Sequence, residues 1–268
     1  MPNNLLALAP SEQAVFQGAP WWVYAVLLLV GLIAGIVNTV AGGGSFLTLP
    51  ALMWLGGLDL KLANGTNRIA ILPSSVTAVA TFARHGVQDR RLTVRLLIPT
   101  MIGVPGGALL AIYLPTILFE RAFGVLFLLM AVGFIAKPDT LLAANRRDPV
   151  RCPPAEIALF FGIGVYVGFI QAGMGLLLLL GISLFHAREL LTASAVKNAV
   201  GFFMTLLAVI AFVAWGQVRW APGLVVAVGN IFGGYLGAHL SLRKGQRFIF
   251  TGMILVMVVT GIKLLWPK

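Results

Sequence analysis

The sequence predicts an all-α, polytopic integral membrane protein, and three features lead to that fold class. The 268-residue chain is 59% hydrophobic and only 10% charged, whereas a soluble domain carries about 25% charged residues. Its apolar residues form near-continuous runs rather than an alternating pattern, which favours transmembrane helices over a barrel. Two of the runs are interrupted by glycine-rich segments, which predicts two broken helices among the spans.

Six segments have the length of an ordinary span, close to the roughly 20 residues that cross a bilayer. They are 66–84, 93–113, 117–136, 190–215, 221–241 and 247–266. With the two interrupted regions they make about eight hydropathy spans and up to about ten helical segments.

The interrupted regions are residues 21–57 and 156–185. The first is broken at Gly42-Gly43-Gly44 and again at Pro50, and the second is broken at Gln171-Ala172-Gly173-Met174-Gly175. The second is too long for one span and too short for two. Each region is therefore predicted to form two short helices that end inside the membrane. The alternative is one full and one partial span, especially for 21–57.

Lys and Arg are concentrated in three loops, at 84–95, 137–156 and 242–247. The N-terminal tail and loop 114–120 have no Lys or Arg, and loop 216–220 has only Arg219. The positive-inside rule places the three basic loops in the cytoplasm and both termini outside. This assignment requires each interrupted region to leave and return on the same side, as a hairpin.

A shift of about 130 residues superposes several features of the chain, which indicates an internal repeat. The halves are 1–137 and 152–268, joined by a cytoplasmic linker at 138–151, and each contains a broken hairpin followed by three spans. Since that is an odd number of net crossings, the second half should be inverted relative to the first. Inverted repeats recur in secondary transporters, whose sites lie where broken helices meet near the midplane. Glycine pairs such as Gly31/Gly35, Gly103/Gly107 and Gly229/Gly233 are interpreted as close-packing positions.

Charged residues inside the spans favour an anion as ligand. All eight acidic residues lie in tails, loops or span ends, which argues against a cation antiporter or an acidic pore. Arg68 follows Asn64-Gly65-Thr66-Asn67 at the head of a span, and Lys197 lies about two turns into another. A cation inside a span is costly unless it is paired, so both are candidate site residues. The alternative is that their long side chains snorkel to the interface.

The glycine run at 42–44 gives a second reason to expect an anion as the ligand. A helix that restarts at Ser45 aims backbone N–H groups and a positive dipole end into the membrane, and glycines allow a small ligand to approach the backbone. Helix N-termini, cations, amides and hydroxyls together suit a small anion. The predicted substrate-binding residues are Asn38, Thr39, Gly42, Gly43, Gly44, Ser45, Asn64, Thr66, Asn67, Arg68, Gln171, Gly173, Gly175, Ser194, Lys197 and Asn198.

Other chemistries find no support in the sequence. It contains no hydrolase elbow, P-loop or dinucleotide fingerprint, so we expect neither an enzyme nor a cofactor. His85, His186 and His239 are not spaced as a metal site, and the single cysteine, Cys152, has no partner. The basic clusters sit in short loops with no room for a nucleic-acid-reading module. The expected partners are a small anion and the lipid bilayer. The oligomeric state stays open, although dimers are common among permeases.

Three motifs resemble a known family. Gly35-Ile-Val-Asn-Thr-Val-Ala-Gly-Gly-Gly-Ser-Phe-Leu-Thr-Leu-Pro50, then Ala63-Asn-Gly-Thr-Asn-Arg68, then Gly86 ahead of a basic loop are similar to the TauE/SafE sulfite-exporter family. The resemblance covers about residues 25–266. It implies a permease of the bacterial inner membrane for sulfite, sulfoacetate and related organosulfur or carboxylate anions.

The function expected from these observations is secondary transport of a small anion by alternating access between the two halves. A membrane-embedded assembly factor and an anion channel without carrier activity are the alternatives.

Overall fold

All secondary structure in the described part of the chain is helical. The computed structural model describes residues 19–40, 42–136, 152–186, 188–242 and 258–265. The helices are α1 (Trp21–Val40), α2 (Ser45–Trp54), α3 (Leu60–Arg84), α4 (Arg90–Tyr113), α5 (Thr116–Ala136), α6 (Pro153–Phe169), α7 (Met174–Phe185), α8 (Leu190–Ala214) and α9 (Trp220–Leu242). Residues 258–265 are also helical. The predicted linker 138–151 and the start of the last predicted span lie outside the described residues.

Four of the described helices are long and apolar enough to cross a membrane: α1, α4, α8 and residues Trp220–Ser241 of α9. Only about half of the residues in each are buried against the rest of the protein. Large apolar side chains such as Ile98, Ile102 and Leu129 are more than 60% exposed. In water such surfaces would be costly, whereas in a bilayer they face lipid. The prediction of an all-α, polytopic membrane protein is confirmed.

Helix α3 begins at Leu60, six residues before the predicted span. Asp59 caps it, because its side chain accepts a hydrogen bond from the backbone nitrogen of Leu62 at 2.9 Å. The polar stretch Asn64–Arg68 therefore lies on the helix and not in a loop ahead of it. Arg68 is eight residues beyond the helix start, about 12 Å along the axis at 1.5 Å per residue.

The two broken regions each contain one long and one short helix. Helix α1 has 20 residues and α2 has 10, while α6 has 17 and α7 has 12. With 20 residues, about 30 Å, α1 is long enough to span a bilayer by itself, which favours the alternative of one full and one partial span for 21–57. In the second region the outer ends of α6 and α7 meet, because Glu156 Oε1 and His186 Nε2 are 3.0 Å apart.

The most extensive helix contacts join the first half of the chain to the second. Helix α1 packs along α9, and α4 packs along α6; α3 and α8 contact each other, and each also packs against a helix of the other half. Glycines permit this closeness. A Cβ on Gly31 or Gly35 would collide with the α9 backbone, and one on Gly103 or Gly107 with the α6 backbone. The close-packing interpretation of these glycines is confirmed. The inverted repeat itself stays a prediction.

Candidate functional site

The two helix breaks meet at glycines. Gly42 lies between α1 and α2 with a φ of +81°, and Gly175 is in the first turn of α7. A Cβ placed on either one would collide with the backbone of the other. Any residue larger than glycine would be unfavourable here, because of the positive φ at Gly42 and the close backbone contact at both positions. The glycine run therefore lets the broken helices touch, and it brings two segments that are far apart in sequence to one place.

Lys197 binds the C-terminal end of α1. Its Nζ donates to the carbonyl oxygen of Thr39 at 2.7 Å and to that of Asn38 at 3.2 Å. The neighbouring Asn198 donates from Nδ2 to the same Thr39 oxygen at 3.4 Å. Lys197 is only 2% exposed, so its ammonium lies inside the protein. A helix of the second half thus caps a broken helix of the first half.

Arg68, on a helix of the first half, binds the C-terminal end of a broken helix of the second half, α6. Its Nη1 donates to the carbonyl oxygen of Val167 at 2.9 Å, and its Nη2 donates to that of Gly168 at 2.8 Å. Asn64, one turn earlier on α3, donates from Nδ2 to the oxygen of Phe169 at 3.1 Å. The guanidinium also lies over the ring of Phe212, 4.3 Å from its centroid. Arg68 has no exposed surface.

The two cations therefore form a reciprocal pair of helix caps between the halves. Carbonyl groups at a helix C-terminus lack intrahelical partners and carry a partial negative charge, so a buried cation there is favourable. Snorkelling does not describe either residue, because both bind buried carbonyls instead of reaching the interface. Within the described residues, neither Arg68 nor Lys197 forms an ion pair with a carboxylate.

Asn67 holds the start of α2. Its Nδ2 donates to Ser45 Oγ at 3.1 Å, and its Oδ1 is in hydrogen-bond contact with the hydroxyl of Thr48. Helix α2 has Gly44 as its N-cap, and Gly44 offers no side-chain acceptor. The same holds for Gly173 at the start of α7, whose φ is +76°. Both restarting helices thus lack the side-chain cap that usually satisfies first-turn N–H groups.

The remaining predicted residues divide into those at the breaks and those beside them. Gln171 lies in the second break and donates from Nε2 to Thr205 Oγ1 at 2.8 Å. Gly43 is buried in the first break. Thr66, in contrast, faces the α8–α9 loop, where its hydroxyl accepts from the Arg219 backbone nitrogen at 2.9 Å. The carbonyl of Ser194 accepts from Asn198 on the same helix at 2.8 Å.

Several residues near the breaks were missed in the sequence. Thr48 and Thr205 contact predicted site residues, and Tyr166 donates from its hydroxyl to the carbonyl of Ala172 at 2.5 Å. The sequence pattern that could have identified them is a hydroxyl-bearing residue inside an apolar run. Such a residue lies either within a few positions of a break or in the span that follows it. Threonine and tyrosine are common enough in spans that this signal is weak.

The polar side chains around the breaks are closed off from solvent. Of the predicted polar residues, Asn38 is the most exposed at 6%, and Asn64, Thr66, Asn67 and Arg68 have no exposed surface. The site is therefore in an occluded arrangement. A ligand could reach it only if the helices around it moved apart.

One end of the bundle carries a separate group of ion pairs. The buried carboxylate of Glu156 on α6 binds Arg95 of α4 at 2.5 Å and His186 at 3.0 Å. His85 and His239 bind backbone carbonyls through Nδ1, at 2.8 and 3.0 Å. No cluster of three or more potential metal ligands occurs within the described residues. These contacts lie at the helix ends and not at the breaks.

Comparison with known proteins matches the chain to one family and to relatives named as probable membrane transporters. The sulfite exporter TauE/SafE family matches residues 27–264. The chain is 29% identical to the probable membrane transporter protein YfcA of Escherichia coli strain K12, over 91% of this chain and 90% of that protein. It is 26% identical to the probable membrane transporter protein ORF9 of a Sinorhizobium species, over 93% and 95% of the two chains.

A third relative is more distant. The probable membrane transporter protein YunE of Bacillus subtilis is 23% identical, over 91% of this chain and 97% of that protein. No solved structure gives a significant match. Since the family match includes both helix breaks and both buried cations, it covers the whole of the candidate site. The chain belongs to the sulfite exporter TauE/SafE family.

Proposed function

We propose that the protein is a secondary transporter that exports small anions such as sulfite, sulfoacetate or related sulfonates and carboxylates across the bacterial inner membrane. Its relatives are named as probable membrane transporter proteins, which supports the transporter class. The anion and the alternating-access mechanism are supported by the site's charge and its closure.

The observation that carries the anion is the pair of buried cations. Arg68 and Lys197 are 0% and 2% exposed, and neither has a carboxylate partner within the described residues. The carbonyls that they bind offer only partial negative charge, about half an elementary charge per helix end. An unneutralised positive charge in a low-dielectric interior favours binding of an anion.

The occluded arrangement favours a carrier over an open channel. Lys197 ties α8 of the second half to α1 of the first, and Arg68 ties α3 of the first half to α6 of the second. If the halves rock against each other, as in inverted-repeat transporters, these contacts must rearrange on each side in turn. An anion that competes with the carbonyls for the two cations would couple its own binding to that movement.

Export is the direction that the membrane potential favours. A potential that is negative inside drives an anion outward by about 2.3 kcal/mol per charge per 100 mV. Exit of the anion therefore needs no obligatory coupling ion. We also propose that both termini lie on the outer side, as the charge pattern of the loops predicts.

The experiment is anion flux in proteoliposomes, with labelled sulfite and a short sulfonate as probes. Lys197→Met and Arg68→Gln should each reduce flux at least tenfold, because each removes one of the two positive charges. Lys61→Met is the matched control. Lys61 also caps a helix end, donating to the carbonyl oxygens of Ile112 at 3.1 Å and Leu114 at 2.5 Å, but these acceptors belong to the end of α4 and not to a broken helix.

Three outcomes would contradict the proposal. One is wild-type flux in both site variants, and a second is an equal loss of flux in the Lys61 control. The third is the absence of saturable counterflow of labelled anion, because a carrier shows such counterflow and a channel does not. Melting temperatures of all variants in detergent separate a lost site from a lost fold.

A further inference from the structure

Three buried polar atoms without a hydrogen-bond partner belong to residues that bind or closely follow the C-terminal end of α6. They are Asn64 Oδ1, Arg68 Nε and Gln171 Oε1, each with less than 1 Å² of accessible surface. Asn64 and Arg68 bind the carbonyls of residues 167–169, and Gln171 follows two residues later. Proteins rarely leave buried polar atoms unsatisfied. Three around one five-residue segment indicate a place where a ligand supplies the missing partners.

The orientation of these groups defines what the ligand must offer. The Asn64 amide nitrogen donates to the Phe169 carbonyl, so turning the amide over would set two acceptors against each other. Its oxygen therefore stays available as an acceptor. In the structure the Gln171 nitrogen donates to the Thr205 hydroxyl, and in that orientation its oxygen is a second acceptor. Arg68 Nε adds a charged donor, because Nη1 and Nη2 already hold backbone carbonyls.

The other break is different. Lys197 and Asn198 together donate to the Asn38, Thr39 and Ser194 carbonyls, and no amide oxygen of that cluster is left unpartnered and buried. Among the described residues of that cluster, the hydroxyl oxygen of Thr39 is the only side-chain polar atom that is both fully buried and unpartnered. The two ends of the site thus differ, because the fully buried, unpartnered amide oxygens lie at the α6 end.

We propose that the substrate binds at the C-terminal end of α6 and carries a hydrogen-bond donor in addition to its anionic oxygens. An anionic oxygen meets Arg68 Nε, and a hydroxyl, amine or acid proton of the same molecule meets the amide oxygens of Asn64 and Gln171. This inference rests on the proposed anion transport and narrows its substrate class to small anions that are also donors.

The test uses two pairs of anions that are equal in charge and nearly equal in size. Hydroxymethanesulfonate is compared with ethanesulfonate, and glycolate is compared with propionate, so that a hydroxyl replaces a methyl group within each pair. Counterflow in proteoliposomes gives the transport ratio of the two members. The wild-type protein should prefer the hydroxylated member about tenfold, since an unmatched buried acceptor disfavours the other.

The matched variants are Asn64→Leu and Asn230→Leu. Asn230 on α9 is also fully buried and also has an unpartnered Oδ1, but its nitrogen binds only the Val226 carbonyl on its own helix. Asn64→Leu should reduce the preference to near unity, and Asn230→Leu should leave it unchanged. The ratio is measured within one preparation, so it does not depend on how much protein is folded.

A second variant protects the test against misfolding. If Asn64→Leu does not fold, Gln171→Met gives the same readout, since the Gln171 amide binds a side-chain hydroxyl and not a backbone carbonyl. Equal transport of both members by the wild-type protein would overturn this inference and leave anion transport intact. An unchanged preference in Asn64→Leu and Gln171→Met would show that the two amides do not cause the preference and would also overturn this inference. Transport of none of the four anions, nor of sulfite, would instead refute the proposed function.

Discussion

Replacing Gly175 with alanine tests whether the broken helices touch. Gly175 lies in the first turn of α7, where alanine is the better helix former by about 1 kcal/mol. Its new Cβ, however, would collide with the Gly42 backbone, with the Lys197 Cδ 3.2 Å away on another side. Overpacking of this kind costs about 1–3 kcal/mol, and the upper part of the range applies because backbone atoms cannot rotate away.

The net effect is therefore a destabilisation of about 2 kcal/mol, the cost of overpacking less the gain in helix propensity. For a chain of this size we expect the melting temperature to fall by about 4–8 °C. Gly162→Ala on α6 is the control, because nothing lies within 4 Å of its Cβ. It should raise stability by about 0.5–1 kcal/mol through helix propensity alone.

Thermal unfolding of the two variants in detergent, followed by loss of the monodisperse peak on size-exclusion chromatography, gives both shifts. The same glycine-to-alanine substitution should lower the melting temperature at Gly175 and raise it at Gly162. If Gly175→Ala melts at or above Gly162→Ala, then the contact between the two breaks is not close, and the site built on it is wrong.

Three further predictions concern the helix ends. Asp59→Ala should lower the melting temperature, with a loss of about 1 kcal/mol, whereas Asp59→Asn should change little because asparagine also caps; equal losses would mean that α3 does not begin there. Glu156→Gln should cost about 1 kcal/mol in thermal unfolding, a small value because its partner Arg95 is 54% exposed; a loss above about 4 kcal/mol would mean that the carboxylate is far less screened. Cys152 is exposed and lies in a loop predicted to be cytoplasmic, so a membrane-impermeant maleimide should label it in inverted vesicles and not in spheroplasts, and the reverse pattern would invert the topology.

Much of the architecture could be predicted because its causes are local in sequence. Apolar runs of about 20 residues specify spans, and three consecutive glycines specify a break because they weaken a helix wherever they occur. The start of α3 was placed too late for the opposite reason. The predicted span began at residue 66 and left out the polar residues just before it, yet the Asp59 cap and the packing of the helix keep those residues helical.

The roles of the buried cations could not be read from the sequence. Arg68 and Lys197 were identified because charge in a span is rare, but their acceptors are backbone carbonyls, which leave no signature in residue identity. Those carbonyls lie 99 residues from Arg68 and 158 residues from Lys197 along the chain. Only the packing of the helices shows which carbonyls are within reach.

The reciprocal caps also have a consequence for biosynthesis. Arg68 leaves the ribosome 99 residues before Val167, so at about 5–20 residues per second it waits on the order of 5–20 s for its acceptor. The end of α1 waits longer still, because Lys197 follows Thr39 by 158 residues. During that interval the early spans hold an unmatched charge and an uncapped helix within the lipid. Chains truncated before residue 153 should therefore be unstable in the membrane and be cleared by proteolysis, and expression of the second half in trans should rescue them.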